Sequence, residues 1–360
     1  MAMYLGKAYT KRELLRYAGN MEKIAGIQTS RIDGGKGDSI RKHHVLAGEL
    51  AFSVMENRCM DVLDLSYKGI SLNFLSKCGP VHAGLAEKEE MNFLRSIAGG
   101  LLYTCGTGNV GPAFRRQDGE EHFHGRLRFE PASKVSLAAD WEGDAYRLSL
   151  RGEMRETGLF QSNIALRRSI DAALGSREIR IADAFENESY VESPFMLMYH
   201  VNAGFPIVQK GASIYIPTET VTCMNSQAKL EKDCWNFVSD PVDGGVECVY
   251  LHKVRHDDSG QCHCAIYHPQ EKLGLAISFS ADTLPYLVEW RCMASGDYVV
   301  GLQPSNCFAA GRQTELDRGT LRTLAPFGKA LTSLTIRVLD GDEDMNDFQE
   351  RMGACRNVRA

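Results

Sequence analysis

Apolar and polar residues alternate along most of the chain, with the period of two that is typical of a half-buried β-strand. The alternation is clearest over residues 134–139, 146–154, 166–172 and 178–184, with turns at Gly143 and Gly175 between them. Other strand candidates are residues 50–63 (two strands and a turn), 70–75, 194–202, 213–217, 246–251, 262–268, 273–280, 284–290, 298–302 and 333–339. This series predicts an all-β protein, most simply one large antiparallel β-sandwich.

Helical patterns are short and few. Thr10 to Glu13 forms a capping box, followed by apolar residues at helical spacing, and Gly19 ends the pattern. Residues 87–94 are also compatible with a helix. We therefore predict an N-terminal helical and extended segment (1–40) packed on the sandwich, the sandwich itself (41–345), and a C-terminal tail (346–360).

The composition is ordinary for a soluble globular protein, with 44% hydrophobic and 24% charged residues. A net charge of −5 gives no electrostatic reason to expect nucleic acid or an anionic membrane as a partner. No apolar run is long enough for a membrane span, and the N-terminus lacks a signal-peptide pattern, so we expect a cytoplasmic protein. The 11 scattered cysteines fit reduced thiols in that compartment.

Residues 194–206 are the first candidate for a functional site, because their apolar pattern predicts a buried strand with His200 and Asn202 at its far end. A histidine in that position is either a core residue or a proton donor above a binding face. Unperturbed histidine titrates near neutrality, which suits acid–base chemistry. The pattern of this strand alone leaves both interpretations open.

A polar loop ends in His122, His124 and Arg126. In a strand the two histidines would point the same way, so they suit a metal pair, donors for a hydroxyl-rich ligand, or a solvated loop. The Cys262-His263-Cys264 run does not resemble a zinc site, because strand alternation turns His263 away from both cysteines. We expect no metal.

The glycines at 106, 108 and 111 have the spacing of a dinucleotide-binding motif, but Pro112 and a polar loop follow instead of a helix. We therefore expect no cofactor. Two late strand candidates end in polar residues, among them Glu289, Trp290 and Arg291, then Gln303 and Asn306. Trp290 suits a sugar ring, although a core tryptophan is an equally good interpretation.

Several phrases taken together resemble one family: ELAFSVMENRCMDVLDLSYKGISLNFL, GGLLYTCGTGNVGP, HFHGR, FMLMYHVNAGFP, LPYLVEWRCM and YVVGLQPSN. They are similar to the DUF4432 branch of the aldose 1-epimerase (galactose mutarotase-like) superfamily, from about residue 15 to about residue 340. The resemblance implies a galactose mutarotase-like antiparallel β-supersandwich with a sugar-binding groove on one face. This implication agrees with the strand pattern.

The resemblance also implies a mechanism, in which a general acid protonates the ring oxygen and a general base takes the anomeric hydroxyl proton. His200 matches the acid, and His124 matches a sugar-binding histidine. Where the family has a glutamate base this chain has Gln303, whose amide has no useful basicity. Glu289 is the first substitute candidate, Asp61 the second and Asp282, in a turn, the third.

The resulting hypothesis is a carbohydrate-binding isomerase with His200 and Glu289 as catalytic residues. The residues expected to bind substrate are His124, Arg126, Arg58, Asp61, Asn202, Trp290, Arg291, Gln303 and Asn306. The alternatives are a non-catalytic carbohydrate-binding protein, motivated by Gln303, and a keto-sugar isomerase or epimerase with another base. A third, weaker alternative is a metal-dependent isomerase using His122, His124 and His200. The expected partner is a small carbohydrate, and a homodimer stays open.

Overall fold

The computed structural model describes residues 1–87, 90–116 and 119–358, without the side chains of residues 90, 114–116, 119, 120, 357 and 358. The strands are β1 (Ala2–Tyr4), β2 (Lys7–Tyr9), β3 (Ala25–Arg31), β4 (Arg41–Ala47), β5 (Leu50–Met55), β6 (Asp61–Tyr67), β7 (Ile70–Ser71), β8 (Leu102–Thr107), β9 (Phe114–Arg116), β10 (Gly119–Glu121), β11 (Ser133–Glu142), β12 (Ala145–Thr157), β13 (Asn163–Ala173), β14 (Glu178–Asn187), β15 (Ser193–Pro194), β16 (Met196–Ala203), β17 (Ser213–Tyr215), β18 (Thr218–Cys223), β19 (Cys248–His256), β20 (Gln261–His268), β21 (Leu273–Ser280), β22 (Tyr286–Ala294), β23 (Asp297–Ser305), β24 (Thr323–Leu324), β25 (Lys329–Asp340) and β26 (Asn357–Val358). The α-helices are α1 (Lys11–Leu15), α2 (Ser226–Leu230), α3 (Arg312–Arg318) and α4 (Asp342–Gly353), and 3-10 helices cover Met21–Lys23, Gly35–Gly37, Ala83–Leu85, Glu90–Ser96 and Leu127–Phe129.

Three antiparallel sheets carry most of these strands. The first has the order β3-β4-β5-β6-β7, and the second has the order β11-β12-β13-β14-β25-β21-β20-β17. The third, which we call the seven-stranded sheet, runs β18-β19-β22-β23-β16-β8, with β26 paired to β19. The architecture confirms the all-β prediction, and the long strand candidates of the sequence correspond to β11 to β14, β20, β21 and β25.

Strand β16 is buried on both faces, which explains its continuous apolar sequence. Leu197, Tyr199 and Val201 face the main hydrophobic core. Met196 and Met198 face a second, smaller apolar cluster on the other side of the sheet. Because side chains alternate along a strand, His200 lies on the same face as the second cluster.

The N-terminal capping box is present as predicted. The Thr10 hydroxyl accepts a hydrogen bond from the Glu13 backbone N–H at 3.2 Å, and the Glu13 carboxylate accepts from the Thr10 N–H at 2.9 Å. The predicted domain boundary at residue 40 falls between β3 and β4, which pair along their whole length in one sheet. Within the predicted C-terminal tail, helix α4 extends to Gly353 and buries Met345 and Phe348.

Within the described parts of the chain, every helix is too short or too polar to cross a lipid bilayer.

Candidate functional site

His200 lies at the centre of a cluster of rings on the outer face of the seven-stranded sheet. The centroid of its ring is 5.3 Å from the Trp290 ring, 6.1 Å from the Tyr103 ring and 6.2 Å from the His124 ring. The side-chain amide of Gln303 contacts His200 Nε2 at 2.9 Å. Residues from β8, β16, β22, β23 and the loop before Leu127–Phe129 therefore converge on one point, and we call these five residues the His200 cluster.

Strand register explains why these side chains meet. Tyr103 is paired directly with His200 across β8 and β16, and directly paired residues of an antiparallel sheet share a face. Trp290 is paired with Gly301 across β22 and β23. A Cβ atom on Gly301 would lie 2.8 Å from Gln303 Nε2 and 3.3 Å from His200 Cε1. The missing side chain at Gly301 thus makes room for the contact between the amide and the imidazole.

The contact with Gln303 is linked to the tautomer of His200, that is, to which ring nitrogen carries the proton. When the amide nitrogen donates to Nε2, the imidazole proton lies on Nδ1. That Nδ1 is buried and has no hydrogen-bond partner among the residues that the structure describes. Burial lowers the pKa of His200 to about 4, against a weaker opposing effect of the Asn202 side chain. At neutral pH the imidazole is therefore neutral, with one unused polar atom for a ligand.

His124 is held by a tight loop. It adopts a φ of 59°, and the following Gly125 has a φ of 78°; a Cβ on Gly125 would lie 2.3 Å from the Gly106 oxygen. His124 Nδ1 accepts a hydrogen bond from the Gly111 backbone N–H at 3.1 Å, so the proton of the neutral ring is on Nε2. Burial, then the charge of Arg128 and the nearby His200, keep the pKa of His124 well below its usual value. His124 is therefore a neutral hydrogen-bond donor.

Arg128 is a site residue that the sequence did not single out. Its side chain is completely buried, and its guanidinium carbon lies 4.5 to 5.4 Å from the ring centroids of Phe129, Phe93 and Tyr103. Phe93, in turn, stacks on Phe123 at 4.3 Å. The signal available in the sequence was a second arginine two positions after Arg126 in the HGRLR phrase.

Arg58, which was predicted to bind substrate, lies beside Arg128. Arg58 Nε donates to the Arg128 carbonyl oxygen at 3.2 Å, and Nη1 donates to the Val81 oxygen at 2.6 Å. Burial lowers the pKa of Arg58, with opposing effects from Tyr103 and others. The guanidinium groups of Arg58 and Arg128 both lie over the Phe129 ring, at 5.2 and 4.5 Å, so Arg58 reaches the surroundings of the His200 cluster through Arg128.

Glu289 and Asp61, the two carboxylates first proposed as substitute bases, lie on the core side of the seven-stranded sheet, opposite the His200 cluster. Glu289 is paired with Leu302, which faces the main core, and its carboxylate bonds to His252 Nε2 at 3.1 Å. Asp61 accepts hydrogen bonds from the Thr104 hydroxyl and N–H at 2.6 and 3.0 Å and pairs with Arg168 at 3.1 Å. The expectation that Glu289 or Asp61 reaches a substrate above His200 is therefore wrong, because both side chains point into the core.

Asp61 belongs instead to a buried network that joins the three sheets. Arg168 donates to both oxygens of Asp183, at 2.9 and 2.7 Å, and Tyr199 donates to the same carboxylate at 2.6 Å. Burial raises the pKa of Asp61 to about 6, while Arg168 and Thr104 act in the opposite direction. This network holds β6, β8, β13, β14 and β16 together beneath the His200 cluster.

The other predicted binding residues have different environments. Asn202 is buried beside His200 on the same face, and its Oδ1 has no hydrogen-bond partner among the described residues. Arg126 is partly exposed and pairs with Glu121 at 3.8 Å. Asn306 bonds to the backbone of Leu197 and Phe195, at 2.7 and 3.0 Å. Only Asn202 among these three is placed to meet a ligand at His200.

Arg291 and Asp282 also lie apart from His200. Arg291 donates to the carbonyl oxygens of Cys234 and Phe237 and to the Glu231 carboxylate, on the face opposite to Trp290. It anchors the segment after α2. Asp282 is exposed in the turn between β21 and β22. Neither residue contributes to the His200 cluster.

Among the described residues no three His, Cys, Asp or Glu side chains are grouped so that they could hold a metal ion. His263 bonds to Ser278 and Asp257, at 2.8 and 3.3 Å, whereas Cys262 and Cys264 are buried in the main core. The alternation predicted for this strand is thus observed.

Two surface cavities lie elsewhere, against the eight-stranded sheet. Their volumes are about 810 and 850 Å³, and several charged residues that line them pair with one another, such as Arg167 with Glu153 at 3.1 Å. Charges that already pair with one another have less hydrogen-bonding capacity left for a ligand than the unpartnered Nδ1 of His200 has. Chemistry rather than volume therefore identifies the His200 cluster as the candidate site.

Comparison with known proteins places the chain in a family and a fold. The sequence model of DUF4432, described as a domain of unknown function, matches residues 37–338. No curated protein matches the sequence. A Klebsiella pneumoniae structure provisionally named an aldose 1-epimerase has a TM-score of 0.86 at 19% identity, covering 92% of this chain and 88% of that one.

Two more distant structures have the same fold. A galactose mutarotase-like protein from Clostridium acetobutylicum has a TM-score of 0.57 at 14% identity, over 88% of this chain and 99% of that chain. Galactose 1-epimerase from Lactobacillus acidophilus has a TM-score of 0.54 at 13% identity, with the same two coverages. At these identities the comparison establishes the galactose mutarotase-like fold, as the sequence predicted, and nothing about the reaction.

Proposed function

This chain belongs to the DUF4432 family, and from that premise we propose that it is an isomerase that acts on a sugar or sugar derivative by proton transfer at His200. The observation that carries the proposal is the convergence of His200, His124, Trp290 and Gln303 on one face of the sheet. An aromatic ring with neutral hydrogen-bond donors beside it suits a pyranose, which has apolar C–H faces and hydroxyl edges.

Each residue of the cluster has a role that follows from its environment. The indole of Trp290 stacks on the sugar, and the Nε2–H of His124 donates to a hydroxyl oxygen. The unused Nδ1–H of His200 donates to the ring oxygen. In the protonated ring this proton is transferred as the bond from the ring oxygen to the anomeric carbon opens, and the imidazolium becomes a neutral imidazole that keeps its proton on Nε2. Gln303 holds the other imidazole nitrogen. Because an amide can donate or accept, it fits both tautomers of a neutral imidazole.

The proton acceptor must then be a carboxylate on the same face as His200. Glu247 meets this condition, because its Oε2 accepts a hydrogen bond from Trp290 Nε1 at 2.6 Å. Val249 is paired with Trp290, so Glu247, two positions earlier, extends along the same side of the sheet edge. Its side chain is exposed and is free to move toward a bound sugar. We propose Glu247, rather than Glu289, as the residue that takes the proton from the anomeric hydroxyl.

A second candidate function is carbohydrate binding without catalysis. It is favoured by Gln303, which stands where a carboxylate base would contact the substrate, and by the low pKa of His200. A group with a pKa of about 4 is rarely protonated at neutral pH and is therefore a scarce acid. With this function, the His200 cluster still binds a sugar, but no proton is transferred.

One experiment separates the two functions. The purified protein is added to a panel of reducing sugars in deuterated water, and NMR line broadening reports anomer exchange while deuterium incorporation reports enolisation. The isomerase proposal expects exchange that falls at least tenfold in His200→Gln and in Glu247→Gln. Glu142→Gln is the matched control, because Glu142 is exposed at the end of β11, in a different sheet from the cluster.

Each outcome decides between the candidates. Binding without exchange for every sugar that the wild type binds would refute the isomerase and support the binding protein. Exchange that survives in His200→Gln would refute the role of His200. Exchange that is lost in His200→Gln but unchanged in Glu247→Gln would refute the assignment of the base alone.

A further inference from the structure

Arg128 is a buried cation that has no counter-ion among the residues that the structure describes. Its side chain has no exposed surface, and none of its three guanidinium nitrogens has a hydrogen-bond partner among the described residues. Its contacts are with the faces of Phe93, Tyr103 and Phe129. Aromatic faces attract a cation, but they do not replace hydrogen bonds to the guanidinium N–H groups.

A second unpaired guanidinium lies beside the first. The hydrogen bonds of Arg58 go to the carbonyl oxygens of Arg128 and Val81, and within the described chain neither arginine forms an ion pair. The charge of Arg128 contributes to lowering the pKa of Arg58, after burial. Two buried like charges side by side raise the free energy of the folded protein unless something negative joins them.

Arg168 shows what a structural arginine looks like in the same protein. It is buried to the same degree, yet it donates to both oxygens of Asp183, to Asp61 and to the Thr104 hydroxyl. Its charge is thus fully compensated by side chains of the chain itself. The contrast indicates that Arg128 lacks such a partner within the described part of the chain and is available to a bound anion.

The uncompensated charge lies against the His200 cluster. Tyr103, which covers the guanidinium of Arg128 at 5.4 Å, also lies 6.1 Å from the His200 ring. Phe93, which covers it from another side at 5.1 Å, lies 6.0 Å from the His124 ring. An anionic group bound to Arg128 would therefore be adjacent to a sugar bound over His200 and His124.

We propose that the substrate of this site carries an anionic group, a carboxylate or a phosphate, which Arg128 binds through its guanidinium with Arg58 alongside. The inference rests on the proposed function, because it names the substrate class of the same site. Planar guanidinium groups bind both kinds of anion with two parallel hydrogen bonds. Since the guanidinium nitrogens are closed off from solvent, binding moves one of the covering rings, Phe93 or Tyr103.

The test compares thermal stability and ligand binding in the full-length protein and in two variants, Arg128→Met and Arg128→Lys. The probes are inorganic sulfate, glucuronate, galacturonate and glucose phosphate, each set against neutral glucose or galactose. Arg147→Met is the matched control, because Arg147 is mostly exposed and pairs with Glu142 on another sheet. Binding is measured by calorimetry and by the ligand-induced rise in melting temperature.

Three results are expected, one for stability and two for binding. Without ligand, Arg128→Met melts at the same temperature as the wild type or higher, because an unpaired buried charge has been removed. An acidic sugar binds the wild type more tightly than its neutral counterpart, and Arg128→Met loses that preference by about tenfold to a hundredfold, the range for hydrogen bonds to a charged group. Arg128→Lys retains part of the preference, since it keeps the charge but not the planar fork.

Other outcomes overturn it. If Arg128→Met is strongly destabilised without ligand, the arginine is structural and the inference fails. If neutral and acidic sugars bind the wild type equally, the anion subsite does not exist, although isomerisation of neutral sugars would leave the proposed function standing. Conversely, tight anion binding that depends on Arg128 with no turnover of any sugar supports the subsite and refutes the isomerase. Preference for uronates over sugar phosphates, or the reverse, identifies the anionic group.

Discussion

Replacing Gln303 with glutamate places a carboxylate at 2.9 Å from His200 Nε2, and its effect on the imidazole can be worked out from the structure. In the wild type, burial lowers the pKa of His200 to about 4, and Gln303 contributes no charge. An adjacent carboxylate favours the protonated ring and shifts a pKa by roughly 1 to 3. Gln303 is only 2% exposed, so solvent screens this pair weakly, and we expect a shift near the upper end.

The expected pKa of His200 in Gln303→Glu is therefore roughly 6 to 7, equivalent to about 3 to 4 kcal/mol of added interaction with the protonated ring. The assay is an NMR titration of the histidine Cε1–H signals between about pH 3 and 8, with the His200 signal assigned by its loss in His200→Gln. Polarimetry on the same samples reports whether the variant gains or loses sugar anomerisation. A gain in the variant from an inactive wild type would favour the binding-protein reading.

Two results would refute this reasoning. A wild-type His200 that titrates near its ordinary value would show that burial does not suppress its charge. A midpoint unchanged in Gln303→Glu would show that the two side chains do not touch in solution. Glu289→Gln is the control, because the Glu289 carboxylate bonds to His252 on the opposite face and its removal should leave the His200 midpoint in place.

Three further predictions concern neighbouring groups. Gly301→Ala puts a Cβ 2.8 Å from Gln303 Nε2, so it should displace the amide from His200, cost roughly 1 to 3 kcal/mol measured by urea unfolding, and weaken sugar binding. Arg168→Met leaves Asp183 buried without its partner and should cost roughly 3 to 5 kcal/mol in the same assay. Burial raises the pKa of Glu156 from 4.5 to about 7, so the stability it contributes is complete below about pH 4.5 and is lost as the pH rises through 7; Glu156→Gln should be roughly 3 kcal/mol more stable than the wild type at pH 8 and nearly equal at pH 5.

Each of these expectations can fail separately. Unchanged sugar binding in Gly301→Ala would mean that the position of Gln303 does not matter to the site. A small loss in Arg168→Met, of the size seen for surface substitutions, would mean that the buried network contributes little. A stability difference between Glu156→Gln and the wild type that does not grow with pH would contradict the raised pKa.

Local patterns predicted much of the fold because they depend on neighbours in sequence. The capping box at Thr10 and Glu13 involves atoms three residues apart, and it is present as predicted. The strand period survives in β12, where buried and exposed residues alternate through most of its length. Helix α4 was missed although it has three acidic residues in its first turn and buries Met345 and Phe348, because the prediction treated the chain end as a tail.

The candidate site was predicted in part. His200 and Trp290 lie together, whereas Glu289, one position before Trp290, lies on the opposite face. Alternation required Glu289 and Trp290 to point in opposite directions, but which of the two would face His200 depended on the pairing of β22 with β23 and of β23 with β16. A shift of the strand pairing by one residue would exchange the faces of Glu289 and Trp290, and a single sequence does not determine the pairing.

By itself, the sequence predicted that the chain is rich in strands and that His200 stands in a buried strand, and its resemblance to a family matched Gln303 to the expected base. These properties follow from residue type and from period, which are local. Only the tertiary structure decided that Gln303 contacts His200, that the neighbouring carboxylates point into the core, and that Arg128 is buried with no counter-ion in the described part of the chain. The physical reason is that faces and charge partners depend on contacts between residues far apart in the chain, and those contacts exist only once the sheets have assembled.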